Sequence, residues 1–128
     1  MPARADLAGL IFGLVRMQNK PEMNPEAFVP FGLALKAYWE GDRAAAHLIR
    51  REDGHLDTML VSHYFRDQNS FSELERTALK DCKGRILDVG AGAGPHTLYL
   101  QSQNLDVTAL DINRDACEVS ALLQLAAC

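Results

Sequence analysis

The sequence predicts an α/β protein, because one stretch reads as strand, glycine loop, helix and strand. Three of the five residues in Arg85–Val89 are large and aliphatic, which is typical of a parallel strand buried on both faces. Three glycines follow within Gly90–Gly94, and a helix is predicted over Pro95–Ser102, since proline suits a first helical turn. Asp106–Leu110 then predicts a second strand. Together these segments predict a right-handed βαβ unit.

Composition indicates a single soluble globular domain. The chain has 128 residues, of which 48% are apolar and 23% charged, and its net charge is −4. This charge gives no reason to propose nucleic acid as a partner, since phosphate binding needs an excess of Lys and Arg. The three cysteines are odd in number and include no Cys-x-x-Cys pair, so no metal site or disulfide framework is predicted. A reducing, cytoplasmic location is therefore expected.

The N-terminal part is predicted to be helical. Leu7–Val15 is apolar, but it is bounded by charged residues, lacks a cleavage site and is too short to span a bilayer. We interpret it as part of a packing helix over Ala3–Gln18, and no membrane association is expected. Asn19–Pro30 contains three prolines and predicts a loop. Phe31–Glu40 predicts a second helix, ended by the Gly-Asp pair that follows it.

A hairpin is predicted next. Asp53-Gly54 lies between two short mixed runs, His47–Arg51 and His55–Leu60. An Asp-Gly pair in this position is typical of a β-hairpin, because both turn residues must tolerate a positive φ. A continued helix over Ala44–Arg50 is the alternative.

Two further helices are predicted from their N-caps. Ser70 is followed three residues later by Glu73, which predicts a capping box and a helix over Phe71–Asp81. Asn113 predicts the cap of a last helix over Arg114–Ala127.

The glycine loop indicates a nucleotide-like ligand at the carboxyl ends of the two strands. The dinucleotide pattern Gly-x-Gly-x-x-Gly fails in both frames, because its third glycine would fall at Pro95 or Thr97. Asp88 would also repel a pyrophosphate, whereas it would attract a sulfonium or an ammonium group. These charges favour S-adenosylmethionine over NAD or FAD.

The strand end resembles the first motif of class I S-adenosylmethionine-dependent methyltransferases, in which an acid precedes Gly-x-Gly-x-Gly. Here that motif is Leu87-Asp88-Val89-Gly90-Ala91-Gly92-Ala93-Gly94. Asp111, 21 residues after Gly90, matches the acid that holds the ribose hydroxyls in this family, and Ile112 matches the residue beside the adenine. The segment from Phe65-Arg66-Asp67 through Ser72–Arg76 to the glycine loop also resembles a bacterial branch of the family that carries a helical N-terminal extension.

The resemblance implies a Rossmann-like class I methyltransferase fold and S-adenosyl-L-methionine as cofactor. Asp88 would position the methionine moiety, Asp111 would accept hydrogen bonds from both ribose hydroxyls, and Ile112 would flank the adenine. The cofactor would be lined by the backbone of Gly90, Ala91, Gly92 and Gly94. The methyl acceptor and any catalytic base stay unidentified.

The resemblance also implies seven strands, of which this sequence predicts two. We therefore expect an N-terminal helical extension with a small hairpin over residues 1–69, and the start of a truncated cofactor domain over 70–128. The chain alone is expected to be a fragment incomplete for catalysis. Two other classes stay open, namely an NAD(P)- or FAD-dependent oxidoreductase fragment and a non-catalytic interaction module built on a decayed cofactor domain.

The other distinctive side chains are predicted to be structural. His47, His55 and His63 recur every eight residues, which matches no metal-ligand spacing. His96 is predicted to lie on the surface or to pack. An interior position is predicted for Tyr38, Trp39 and Cys117. Tyr64, Phe65 and Arg66 are predicted to be packing residues, and closure over the cofactor is the alternative, since aromatic and guanidinium groups suit an adenosyl sulfonium or its carboxylate.

Overall fold

The computed structural model describes residues 24–126. The predicted helix over Ala3–Gln18 lies outside the described residues. Four α-helices are described: α1 (Val29–Trp39), α2 (Glu73–Lys80), α3 (Pro95–Ser102) and α4 (Arg114–Ala126). There are four strands in this part of the chain: β1 (Ala46–Arg50), β2 (Leu56–Leu60), β3 (Arg85–Val89) and β4 (Asp106–Leu110). Three short 3₁₀ helices span Pro25–Phe28, Val61–Phe65 and Gln68–Ser70.

Helix α1 begins earlier than predicted. The predicted loop over Asn19–Pro30 is wrong at its end, because Pro25–Phe28 forms a 3₁₀ turn and α1 starts at Val29. Proline is compatible with a first helical turn because its missing N–H has no partner there anyway. Asn24 caps the 3₁₀ turn by accepting a hydrogen bond from the Glu26 N–H.

The hairpin is confirmed. Strands β1 and β2 pair antiparallel, with Ala46 opposite Leu60 and Arg50 opposite Leu56, so the alternative helix over Ala44–Arg50 is wrong. Gly54 has a φ of +83°, and the Asp53 carboxylate accepts a hydrogen bond from the His55 N–H at 3.0 Å. The Asp53-Gly54 turn therefore favours a hairpin over a helix in this segment.

The capping box of α2 is at Ser72, so the prediction of Ser70 is wrong. The sequence contains two overlapping Ser-x-x-Glu patterns, and Ser70 belongs to the preceding 3₁₀ helix. The Ser72 hydroxyl accepts from the Glu75 N–H, while the Glu75 carboxylate accepts from the Ser72 N–H at 2.7 Å. The Arg76 guanidinium also donates to the carbonyl of Phe71, which fixes the chain just before the helix.

The predicted β3–α3–β4 unit is confirmed with the predicted bounds. Strands β3 and β4 are parallel neighbours, with Asp88 opposite Ala109. The prediction that β3 is buried on both faces is wrong for the described residues. Helix α3 packs on one face, whereas Leu87, Val89 and Leu110 on the other face are 58%, 71% and 52% exposed.

The core joins the N-terminal elements to the glycine loop. Leu35 of α1 and Val61 are fully buried, and they cluster with Ala93 of the loop and with Ala116 and Val119 of α4. Other predicted packing residues lie partly buried against this cluster: Tyr38, Trp39, Tyr64 and Phe65. Cys117 is exposed, so its predicted interior position is wrong. It lines a cavity together with Val107 and Ala109 of β4.

Candidate functional site

Two carboxylates lie at the carboxyl ends of the paired strands β3 and β4. Asp88, on β3, is half-buried and accepts a hydrogen bond from the Thr97 hydroxyl at 2.7 Å. Thr97 is fully buried in the first turn of α3. Because the Asp88 side chain is fixed by a buried donor, its carboxylate has a defined direction.

The glycine loop between the strand and α3 has three residues in the left-handed region. Gly90, Gly92 and Gly94 have φ values of +74°, +59° and +84°, which other residues adopt only at a cost. The N–H groups of Gly90 and Ala91 donate to the carbonyl of Leu110 at 2.8 and 3.1 Å. The loop is therefore fixed to the end of β4.

The surroundings of the three glycines differ. A Cβ at Gly90 would have open space, and Gly90 is exposed. A Cβ at Gly92 would lie 3.7 Å from the Phe31 ring, and one at Gly94 would lie 2.6 Å from the Ser120 hydroxyl. The close contact at Gly94 means that Ser120 of α4 also requires a glycine there. Gly90 lies open, and Gly92 lines a cavity of about 330 Å³ together with Ala91 and Asp111.

Asp111 connects the glycine loop to the start of α4. Its Oδ2 accepts a hydrogen bond from the Gly92 N–H at 2.8 Å, and its Oδ1 accepts one from the Asn113 N–H at 2.8 Å. A carboxylate has about four acceptor sites, so two further donors can still be accommodated. Ile112 follows with 62% exposure. It lines a cavity of about 400 Å³ together with Phe28 and Val29.

Helix α1 is held close to this region by contacts that the sequence analysis missed. A Cβ on Gly32 would lie 2.4 Å from Asn113 Oδ1 and 2.7 Å from Asp115 Cβ, so only glycine allows the observed approach of α1 to α4. The Asn113 side chain caps α4 as predicted, and it also donates to the carbonyl of Phe28. An isolated glycine within a helical pattern is the sequence signal that could have indicated this packing.

An aromatic cluster of Phe31, His47 and Tyr64 lies beside the glycine loop. The ring of Phe31 stacks on His47 at 5.5 Å and meets Tyr64 edge-on at 5.1 Å. The Nε2 atom of His47 is buried without a hydrogen-bond partner, and burial lowers the pKa of this imidazole. Burial also raises the pKa of Tyr64. The predicted packing role of Tyr64 is therefore confirmed.

Glu75 is the most strongly perturbed ionisable group of the described residues. The Ser72 N–H, His96 and Arg66 all contact its carboxylate, and they lower its pKa to about 2. The hydrogen bond from the Ser72 N–H is the largest of these effects. His96 packs edge-on against Phe71 at 5.0 Å, in agreement with its predicted packing role.

The described residues show neither a metal cluster nor a membrane span. Within residues 24–126, His, Cys, Asp and Glu side chains do not come together in groups of three that could hold a metal ion. In the same range, every helix is too short or too polar to cross a bilayer.

Comparison with known proteins identifies a structural relative. No family model and no curated protein matches the chain. A solved structure of an SAM-dependent methyltransferase from Bacteroides fragilis, in complex with S-adenosyl-L-homocysteine, matches with a TM-score of 0.68 and 37% sequence identity. The match covers 73% of this chain and 39% of that chain, so the chain spans well under half of its relative. Over the matched part, the chain therefore has a mixed α/β fold similar to that of an SAM-dependent methyltransferase.

Proposed function

We propose that this chain binds S-adenosylmethionine at the carboxyl ends of β3 and β4 and forms the cofactor-binding part of a methyltransferase. The proposal rests on which atoms accept hydrogen bonds from the N–H groups of the glycine loop. Those of Gly90, Ala91, Gly92 and Gly94 donate to Leu110, Asp111 or the loop itself. Dinucleotide sites instead direct such N–H groups at a pyrophosphate.

Electrostatics support the same choice of ligand. Asp88 lies two residues before Gly90, and Asp111 directly follows Leu110, whose carbonyl accepts from the Gly90 N–H. Gly90 itself has open space beside it. Two carboxylates would repel a pyrophosphate, but they suit a ligand with a cationic amino group, a sulfonium and a ribose diol. The relative of 37% identity was solved with S-adenosyl-L-homocysteine, which has the same amino acid and ribose groups.

Five of the predicted site residues have specific roles in this proposal. Asp88, held by Thr97, would bind the amino group of the methionine moiety directly or through a water. The exposed Gly90 would let the ligand approach the backbone, and Ala91 continues the loop. Asp111 would accept the ribose hydroxyls at its remaining acceptor sites, and Ile112 would contact the adenine.

Methyl transfer would then depend on positioning. Bound S-adenosylmethionine supplies an electrophilic methyl group for in-line displacement by a nucleophile. The residues described here would fix the direction of that methyl group, and correct orientation of two reactants is a large part of such catalysis. The acceptor is not specified, and no residue is assigned as a general base.

Calorimetry tests the ligand class. We expect the chain to bind S-adenosylmethionine and S-adenosylhomocysteine, and not NADH. Binding of NADH alone would refute the proposal in favour of an oxidoreductase. A folded, monodisperse chain that bound none of the three would favour a non-catalytic interaction module.

Asp111→Asn tests the site. Loss of hydrogen bonds to a charged group, worth about 1.5–3 kcal/mol, should weaken S-adenosylhomocysteine binding roughly ten- to a hundredfold. Since Asp111 also accepts the Gly92 and Asn113 N–H groups, thermal unfolding must be measured on the same variant. Asp106→Asn, at the exposed opposite end of β4, is the matched control and should leave the affinity unchanged. An unchanged affinity in Asp111→Asn would contradict the ribose assignment.

A further inference from the structure

Glu75 has more acceptor capacity than its helix requires. The capping box of α2 uses one carboxylate oxygen, Oε2, which accepts from the Ser72 N–H at 2.7 Å. The second oxygen, Oε1, accepts from His96 Nε2 at 2.8 Å and forms an ion pair with Arg66. Glu75 is only 20% exposed, so these contacts are largely shielded from water. Helix capping therefore does not explain the contacts of Oε1 with His96 and Arg66.

His96, which binds Oε1, links Glu75 to the candidate cofactor site. His96 and Thr97 are consecutive residues in the first turn of α3. His96 binds Glu75, and the Thr97 hydroxyl donates to Asp88 at 2.7 Å. Glu75, His96 and Asp88 also line one cavity of about 220 Å³. The first turn of α3 is thus held at one end by Glu75 and itself holds Asp88.

We propose that Glu75 is a positioning residue which, through His96 and the first turn of α3, fixes the carboxylate of Asp88 for the amino group of the cofactor. The inference rests on the proposed function, because it gives Asp88 a ligand to position.

Three variants separate positioning from helix stability. Glu75→Gln keeps an oxygen for the Ser72 N–H but presents an amide donor to His96 and Arg66, so we expect the Kd for S-adenosylhomocysteine to rise roughly three- to tenfold. Ser72→Ala weakens the same helix cap and leaves the Glu75 carboxylate in place, so it should lower stability without changing the Kd. His96→Gln keeps a side-chain donor for Glu75, so its Kd should stay close to that of the wild type.

A measurement without ligand tests the positioning independently of the proposed function. The side-chain carboxyl ¹³C signal of Asp88 in Glu75→Gln should differ from that of the wild type, whereas in Ser72→Ala it should stay at its wild-type position. If the signal changes in this way but S-adenosylhomocysteine does not bind, the proposed function fails and the coupling stands. If the signal is the same in Glu75→Gln as in the wild type, or if Ser72→Ala raises the Kd as much as Glu75→Gln, the positioning role is refuted.

Discussion

Replacing Gly32 with alanine should destabilise the protein, although it improves the intrinsic helix propensity of α1. In a helix interior, alanine is more stable than glycine by about 0.5–1 kcal/mol. At Gly32 the added Cβ would lie 2.4 Å from Asn113 Oδ1 and 2.7 Å from Asp115 Cβ. Real contacts of this kind are longer, so α1 and the start of α4 must move apart.

The magnitude follows from what that movement disrupts. Asn113 Oδ1 caps α4 by accepting from the Ala116 N–H, and its amide donates to Phe28. Overpacking costs about 1–3 kcal/mol and a lost N-cap about 1 kcal/mol. After subtraction of the propensity gain, we expect the free energy of unfolding to fall by about 1–3 kcal/mol.

Urea unfolding followed by far-ultraviolet circular dichroism measures this change. The midpoint of Gly32→Ala should decrease by about 1 M, with the m-value unchanged. Asn113→Ala removes the atom nearest to the new Cβ, so the double variant should be less destabilised than the sum of the two single variants. A more stable Gly32→Ala protein, or strict additivity with Asn113→Ala, would refute the close-approach argument.

Two further predictions concern the loop and its aromatic neighbours. Gly94→Ala should lower the free energy of unfolding by about 1–2 kcal/mol because of its positive φ, and by a further 1–3 kcal/mol, roughly, because of the contact with the Ser120 hydroxyl. Adding Ser120→Ala should recover only the second of these losses. Equal unfolding midpoints for the single and the double variant would contradict this explanation. Burial lowers the pKa of His47 in the folded protein below its usual value of about 6.5. Between these two pKa values the unfolded chain binds more protons than the folded one, so the free energy of unfolding falls as the pH is lowered through that range. His47→Phe keeps the stacking with Phe31 and should reduce this loss in thermal unfolding at pH 7 and pH 5, whereas identical pH profiles would contradict it.

The sequence alone determined those elements whose structure depends on residues close together along the chain. The bounds of β3, α3 and β4 follow from a short aliphatic run, a glycine loop and a proline at a helix start. Asp53-Gly54 specified the hairpin, and Asn113 specified the start of α4. These signals are local because backbone hydrogen bonds in helices and turns join residues three or four positions apart.

Tertiary contacts decided the rest, because residues far apart in sequence leave no regular spacing. Two Ser-x-x-Glu patterns were equally good locally, and the 3₁₀ turn before α2 together with the contacts of Glu75 selected Ser72. The sequence predicted that Gly94 lines the cofactor, and only the fold shows that the Ser120 hydroxyl also leaves no space for a side chain there. The sequence predicted that Asp111 is a site residue, but only the fold shows that its oxygens also hold the loop in place.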